Sequence, residues 1–262
     1  MAAGVPVRSG RQHHRDPPGR SVMSADNAQR RAVIVTGASG LVGGSVARTV
    51  AEAGYEVVPV DVRAGTVDGL DVTACDITDT QQVVQLMKSI QTGGAQLYGL
   101  VNAAAVIPTA GLWDVQVDEF MTVLKINTWG SLNIAREASK LMAAGGAGRI
   151  INIASVAAYT GGLVGGPHYA ASKAGVIVLT KVLAKELAAQ GITANAIAPG
   201  ALDSPATQAL PDEARTALVE RIPAGRFGTR DEITGAVAYL LTPAAGYMTG
   251  ATLDINGGVH LR

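Results

Sequence analysis

Short apolar runs alternate along the chain with segments of helical periodicity. The apolar runs occupy residues 32–35, 57–60, 99–102, 150–153, 193–198 and 252–255. Between the first two runs, Val42, Val46 and Val50 recur at one-turn spacing and share one face of a predicted helix. Gly54 then ends this helix, predicted over residues 43–53. Strands that alternate with amphipathic helices predict an α/β fold: one doubly wound parallel sheet flanked by helices.

Two four-residue segments have the spacing of a capping box, in which a side chain bonds the start of a helix. These segments are Thr-Asp-Thr-Gln at residues 78–81 and Thr-Arg-Asp-Glu at residues 229–232. They predict helices that begin ahead of Val83 and Ile233.

The composition divides the chain into an N-terminal extension and one domain. Hydrophobic residues make up 48% of the chain and charged residues 16%, so a sizeable core can be buried. Residues 1–30 are rich in arginine, contain a Pro-Pro-Gly run and lack hydrophobic periodicity. We expect this segment to be a disordered basic extension, and residues 31–262 to form the domain.

Charge and cysteine content argue against several classes of function. The 21 basic and 21 acidic residues cancel, whereas domains that bind nucleic acid or anionic membranes are usually strongly basic. The single cysteine, Cys75, excludes an internal disulfide, and no cluster of His, Asp or Glu predicts a metal site. The uncharged stretches 89–113 and 150–172 are interrupted by polar residues, so we interpret them as buried strands and loops. We expect a cytoplasmic protein.

A glycine-rich turn, Thr-Gly-Ala-Ser-Gly-Leu-Val-Gly at residues 36–43, follows the first predicted strand and opens the first predicted helix. Glycines there let the backbone approach a pyrophosphate, whose charge the helix start favours. This placement predicts a Rossmann-type, dinucleotide-binding domain over residues 31–262, although a glycine-rich turn without a ligand is the alternative. The predicted cofactor contacts in this turn are Gly37, Ser39, Gly40, Leu41, Val42 and Gly43.

Asp61 ends the second predicted strand, about 20 residues after the glycines, where a carboxylate can accept hydrogen bonds from both ribose hydroxyls. The same carboxylate would repel a 2′-phosphate, so Asp61 favours NAD as the cofactor. Arg63 lies close by in the sequence and leaves NADP possible. A solvated aspartate at a strand end is the alternative.

Tyr169 and Lys173 are four residues apart, so on a helix they share one face with side-chain bases about 5–6 Å apart. A free tyrosine has a pKa of about 10 and exchanges protons poorly near neutrality. A neighbouring ammonium favours the phenolate, so we expect Lys173 to lower the pKa of Tyr169. Ser155 follows an apolar strand, at the sheet edge where α/β proteins bind ligands. Each residue alone has a structural explanation, but their order behind a dinucleotide motif predicts a catalytic site.

The chain resembles the short-chain dehydrogenase/reductase family over nearly all of residues 31–262. Its catalytic tetrad is matched by Asn127, Ser155, Tyr169 and Lys173. The resemblance adds cofactor contacts at Asp76, Ile77, Asn102, Ala103, Ala104, Tyr169, Lys173, Pro199, Gly200, Leu202 and Ser204. It implies that Tyr169 is the general acid/base, Lys173 holds the nicotinamide ribose, Ser155 binds the substrate oxygen and Asn127 supports a proton relay through water.

Two features depart from the family's common short form. The second glycine of the first motif is Gly40, where the short form has it at the position of Leu41. The interval from Ser155 to Tyr169 is one residue longer than in the family, which affects the loop at residues 157–167.

The resemblance implies an NAD(H)-dependent enzyme that transfers a hydride between the nicotinamide and a small secondary alcohol or ketone. One alternative is an NADPH-dependent 3-oxoacyl-[acyl-carrier-protein] reductase, which residues 226–228 and 254–258 resemble; another is a catalytically silent cofactor-binding protein. The resemblance also implies a homotetramer. A mainly apolar substrate pocket is expected from Val106, Ile107, Ala157, Tyr159, Leu163, Leu202 and residues 203–218. His168 is expected to face away from the site, and Trp113, Trp129 and Phe120 to be packing residues.

Overall fold

The computed structural model describes residues 30–162 and 165–261. Within these residues the strands are β1 (Arg31–Thr36), β2 (Glu56–Asp61), β3 (Gly65–Val67), β4 (Leu70–Ala74), β5 (Gln96–Asn102), β6 (Gly148–Ile153), β7 (Ile192–Pro199) and β8 (Thr252–Ile255). The helices are α1 (Leu41–Glu52), α2 (Thr80–Thr92), α3 (Val117–Leu124), α4 (Ser131–Ala144), α5 (Ala157–Thr160), α6 (Pro167–Leu187), α7 (Pro205–Gln208), α8 (Asp212–Glu220) and α9 (Arg230–Leu241). A π-helical turn, Lys125–Gly130, joins α3 to α4, and short 3₁₀ turns follow α6 and α9.

All the strands join one sheet in the order β3-β4-β2-β1-β5-β6-β7-β8. Every pair is parallel except β3 with β4, which is antiparallel. The strand order reverses between β1 and β5, and ligands of such sheets bind beyond the carboxyl ends of the strands at this point. The predicted doubly wound α/β fold is therefore confirmed.

Helices cover both faces of the sheet because successive strand residues point to opposite sides. Ile34 of β1 packs on one side with residues of α2, α4 and α6. Its neighbours Val33 and Val35 pack on the other side, against α1 and α9. The predicted Val46 and Val50 face of α1 is part of this second layer.

The β3–β4 hairpin is absent from the hydrophobic pattern because Val72 is its only buried residue. Its turn is formed by Asp68 and Gly69, with φ of 50° and 80°. An Asp-Gly pair with positive φ at both positions is the preferred sequence for a two-residue hairpin turn.

Both predicted helix starts are confirmed, but the capping residue of α2 is displaced by one position. Thr229 and Glu232 form a capping box at the start of α9. At α2 the cap is Asp79 and not Thr78, because the Asp79 carboxylate accepts bonds from the N–H groups of Gln81 and Gln82, at 2.8 and 3.3 Å. The Asp79 carboxylate, and not the Thr78 hydroxyl that we expected, therefore caps α2.

The expectation of a disordered extension falls on residues that, up to residue 29, lie outside the described part of the chain. Trp113 does not pack in the interior, since 92% of it is exposed, whereas Phe120 and Trp129 are partly covered.

Among residues 30–162 and 165–261, no helix has the length and apolar character needed to cross a membrane.

Candidate active site

The glycine-rich turn lies between β1 and α1, at the point where the strand order reverses. A Cβ added to Gly37, where φ is 66°, would lie 2.6 Å from the Ala104 Cα. A Cβ on Gly43 would lie 2.1 Å from the Gly37 carbonyl oxygen. No side chain caps α1, whose cap residue is Gly40. The first N–H groups of α1, at Leu41 and Val42, therefore suit an anionic group such as a pyrophosphate.

Asp61, at the end of β2, faces this turn. Its carboxylate accepts hydrogen bonds from the N–H of Ser39 at 3.0 Å and from the N–H of Val62 at 2.7 Å. These bonds hold a negative charge beside the glycine turn. Arg63 is exposed, two residues further on.

A cavity of about 240 Å³ adjoins Asp61. Residues predicted to bind the cofactor form much of its lining, namely Gly37, Asp61, Asp76, Ile77 and Ala104. Asp76 is held in turn by the N–H of Thr78, which donates to its carboxylate at 2.8 Å. The cavity, the close-packed glycines and the uncapped α1 together fit the adenosine and pyrophosphate portions of a dinucleotide.

Asn102 has an interior position at the end of β5. Its amide donates to the Ser131 carbonyl at 3.1 Å and to the Asn152 side chain at 2.9 Å. The N–H groups of Ala103 and Ala104 donate to the Thr36 hydroxyl at 3.1 and 3.2 Å. Asn102 therefore ties β5 to β6 and α4, and Ala104 is the member of this motif that lines the cavity.

Tyr169, Lys173 and Ser155 come together at the carboxyl end of β6. The Ser155 side chain lies next to the Tyr169 hydroxyl and acts to lower its pKa. The Lys173 Nζ lies 5.8 Å from the centre of the Tyr169 ring and donates to the Ile153 carbonyl at 2.7 Å. A Cβ on Gly165 would lie 2.5 Å from the Tyr169 Cδ1, so the turn before α6 closes directly on the ring. The predicted grouping of these three side chains is present.

Burial determines the pKa directions of this group. It raises the pKa of Tyr169, which the Ser155 side chain opposes. It also lowers the pKa of Lys173 to about 8. The net pKa of Tyr169 is therefore raised and not lowered as we expected, because burial is the largest cause of its shift. Tyr169 is protonated at neutral pH and is poised to donate a proton.

Asn127 lies fully buried in the π-helical turn. Its side chain pairs with the backbone of Val106, donating to the carbonyl at 3.0 Å and accepting from the N–H at 2.9 Å. It also donates to the Ser172 hydroxyl at 2.9 Å. The Asn127 side chain thus holds the segment after β5 against α6.

The segment after β7 lies beside the end of β8. The Gly200 N–H donates to the Ile255 carbonyl at 2.8 Å, and a Cβ on Gly200 would lie 2.8 Å from the Asn256 Cα. Leu202 forms a bridge with Gly228. The Ser204 hydroxyl caps α7 by accepting from the Thr207 N–H at 3.2 Å. Pro199, the last residue of β7, precedes this turn.

The expected substrate-pocket residues separate into different places. Ala157 packs with Tyr169, as a pocket residue would. Tyr159 packs instead against another cluster and stacks on His260, with 4.4 Å between ring centres. Val106 and Ile107 are exposed, and Leu163 lies outside the described residues.

The segment 203–218 lies at a second cavity, whose lining combines apolar side chains such as Val219 and Phe227 with charged ones. This cavity of about 660 Å³ includes charged side chains of Asp203, Asp212, Arg215, Glu220, Arg226 and Glu232. Among the residues described, no group of three or more His, Cys, Asp or Glu side chains could hold a metal ion.

Comparisons with known proteins match most of the chain. A family model described as enoyl-(acyl carrier protein) reductase matches residues 37–260. The chain is 35% identical over 245 residues to the 3-oxoacyl-[acyl-carrier-protein] reductase FabG of Vibrio cholerae, covering 90% of this chain and 99% of that protein. It is 36% identical over 247 residues to FabG of Staphylococcus aureus, covering 88% and 98%. It is 33% identical over 231 residues to the reductase MabA of Mycobacterium bovis, covering 88% and 93%.

These relatives span the described domain, and the match includes the glycine turn, the buried Tyr169 and Lys173 pair and the closing strand β8. The chain therefore belongs to the short-chain dehydrogenase/reductase family, and is an oxidoreductase that acts on CH–OH or C=O groups with a nicotinamide cofactor.

Proposed function

We propose that this enzyme transfers a hydride between NAD(H) and a secondary alcohol or ketone, with Tyr169 as general acid/base. The observation that carries the proposal is that the side chains of Ser155 and Tyr169 meet beside the buried ammonium of Lys173. Two hydroxyl groups that meet at one point can together hold a carbonyl oxygen. The bound nicotinamide supplies or accepts the hydride.

In the reducing direction, Ser155 and Tyr169 donate hydrogen bonds to the carbonyl oxygen of the substrate. As that oxygen gains negative charge, Tyr169 transfers its proton to it. Lys173 holds the nicotinamide ribose, and its ammonium stabilises the phenolate that remains on Tyr169. Asn127 acts by positioning, because its side chain is engaged by Val106 and Ser172.

Asp61 supports NAD(H) as the preferred cofactor. Its carboxylate stands beside the cavity that fits the adenosine, where it can accept bonds from the ribose hydroxyls and would repel a 2′-phosphate. The contacts proposed for the cofactor are those of the glycine turn, Asp61, Asp76, Ile77, Ala104, Tyr169, Lys173 and the segment 199–204.

A second candidate is the reduction of 3-oxoacyl thioesters. It is favoured by the relatives of 33–36% identity that carry this activity in their names. The reacting group is again a ketone, so the proposed roles of Tyr169, Ser155 and Lys173 are unchanged. The two candidates differ in what lies beyond the ketone.

A homotetramer is also part of the proposal. The neighbouring helices α3 and α6 expose apolar side chains at one-turn spacing, Val117 and Met121 on α3 and Val178 and Val182 on α6. Exposed apolar sets of this kind are typical of an interface. A monomer by light scattering at micromolar concentration would contradict this assembly.

The function is tested by steady-state assays of secondary alcohols, ketones and a short 3-oxoacyl thioester, each with both cofactors. Tyr169→Phe keeps the ring and removes the proton donor, so kcat should fall by about 10²–10⁴-fold while NADH affinity changes little. Asp61→Ala should narrow the preference for NADH over NADPH. Near-normal kcat in Tyr169→Phe, measured where chemistry limits turnover, would exclude the acid/base role. A higher kcat/KM with NADPH in the unaltered enzyme would exclude the role of Asp61.

A further inference from the structure

His168, the residue before Tyr169, is fully buried and has no role in the proposed chemistry. Its side chain is 0% exposed, and neither ring nitrogen has a hydrogen-bond partner among the described residues. Its Nε2 lies 3.3 Å from the Oε1 of Glu119 on α3, whose side chain is 38% exposed. A buried polar ring without partners is costly, so the nearby carboxylate is the group that can compensate its burial.

The His168 ring lies where the first turn of α6 meets the segment 106–116. A Cβ on Gly166 would lie 2.4 Å from the His168 Cε1 and 2.3 Å from the Ala110 carbonyl oxygen. The Gly166 N–H donates to the Pro108 carbonyl at 2.9 Å. His168 also lies nearly parallel to the Phe120 ring, at 6.5 Å between centres. The imidazole therefore links α6 to α3, beside the point where Gly166 contacts the segment.

The segment 106–116 is anchored at its start as well. Asn127 holds the backbone of Val106 through two hydrogen bonds. Val106 also lines the cavity next to Asp61. The segment thus runs from the cofactor cavity to the first turn of α6, which carries Tyr169, and forms a border of the site.

We propose that His168 is a positioning residue, which pairs with Glu119 to hold the segment 106–116 against the first turn of α6 and so shapes the substrate entrance beside Tyr169. This inference rests on the proposed site at Tyr169. Loss of the pair releases one side of the segment, while the glycine turn and Asp61 remain in place. Substrate binding should therefore weaken without a matching loss of cofactor binding.

Two variants separate the pair from the packing around it. His168→Phe retains an aromatic ring beside Phe120, and Glu119→Gln retains the shape of the acid. Each should raise the KM for the carbonyl substrate by roughly tenfold, the range expected when the contact of the imidazole with a charged carboxylate is lost. The KM for NADH and kcat should stay within about twofold, since a positioning role leaves the reacting groups intact. The double variant should resemble the single ones.

The second readout is amide hydrogen exchange of the unliganded enzyme, which does not depend on turnover. Exchange should rise in the segment 106–116 in both variants and remain unchanged in β1 and β6. Asp118→Asn, which alters an exposed acid in the same turn of α3, is the matched control and should leave both readouts unchanged.

Wild-type substrate KM and wild-type exchange in both variants would overturn the inference. An equal rise in the KM for substrate and NADH, with faster exchange throughout the domain, would also overturn it by showing a general structural role. Failure of the proposed function is recognised separately, since it would appear as turnover retained by Tyr169→Phe.

Discussion

Burial of the Lys173 ammonium lowers the free energy of unfolding by an amount that can be measured. Burial lowers its pKa from 10.5 to about 8, and at about 1.36 kcal/mol for each pKa unit this difference disfavours the folded ammonium by about 3 kcal/mol. Lys173→Met removes the buried charge and keeps most of the side-chain volume. It also leaves the Ile153 carbonyl without its donor, which costs about 1 kcal/mol or more. We therefore expect Lys173→Met to stabilise the unliganded protein at pH 7 by about 2 kcal/mol while it abolishes efficient turnover.

The sign of the pH dependence follows from the lowered pKa. Between pH 8 and pH 10.5 the unfolded chain binds more protons at Lys173 than the folded chain, so the free energy of unfolding of the wild-type protein rises with pH. This rise is absent in Lys173→Met. The advantage of the variant should shrink by about 2 kcal/mol between pH 7 and pH 9.5.

Urea unfolding of both proteins at the two pH values, followed by circular dichroism without cofactor, measures this difference. Lys181→Met, which alters an exposed lysine of the same helix, is the matched control and should show no comparable change with pH. A Lys173→Met protein that is less stable than wild type at pH 7, or whose stability difference is the same at both pH values, would refute the reasoning.

Three more substitutions have outcomes that the structure determines. Gly43→Ala places a Cβ 2.1 Å from the Gly37 carbonyl, so it should cost about 1–3 kcal/mol in urea unfolding and weaken NADH binding by fluorescence titration. Gly235→Ala in α9, where nothing lies within 4 Å of the new Cβ, should instead stabilise by about 0.5–1 kcal/mol. Hydrogen bonds from Arg226 and Thr229 lower the pKa of Glu232 from 4.5 to about 2. The ionised Glu232 carboxylate therefore stabilises the folded protein above pH 4.5, and this contribution is lost as the pH falls towards 2. Glu232→Gln should cost about 1 kcal/mol at pH 7 and little at pH 2, and an equal cost at both would contradict its role as an ionised cap.

The core of the sheet could be predicted because its strands are short apolar runs that stand out between polar segments. β3 and β4 were not predicted because both strands are short and largely exposed, although the Asp68-Gly69 pair is typical of a hairpin turn. The cap at Asp79 was misplaced by one residue because Thr78 and Asp79 both have the side chains that cap helices.

The residues of the candidate site could be predicted from the sequence, but the burial of their side chains could not. The spacing of Tyr169 and Lys173 places them on one helical face, but it contains no information about how much solvent remains around them. The sign of the Tyr169 pKa change therefore required the structure. The same holds for Tyr159, whose place depends on a C-terminal segment about 100 residues away in the sequence.

The hydrogen bond from the Ser39 N–H to Asp61 links cofactor choice to the shape of the glycine turn. A substitution that removes the carboxylate to admit a 2′-phosphate also removes the acceptor that holds this turn against β2. For the enzyme to accept NADPH, the side chain at position 61 must therefore tolerate the 2′-phosphate and still accept the hydrogen bond from the Ser39 N–H. Asparagine at position 61 keeps an acceptor oxygen for the Ser39 N–H and carries no charge. It should therefore weaken the preference for NADH while the conformation of the glycine turn is retained.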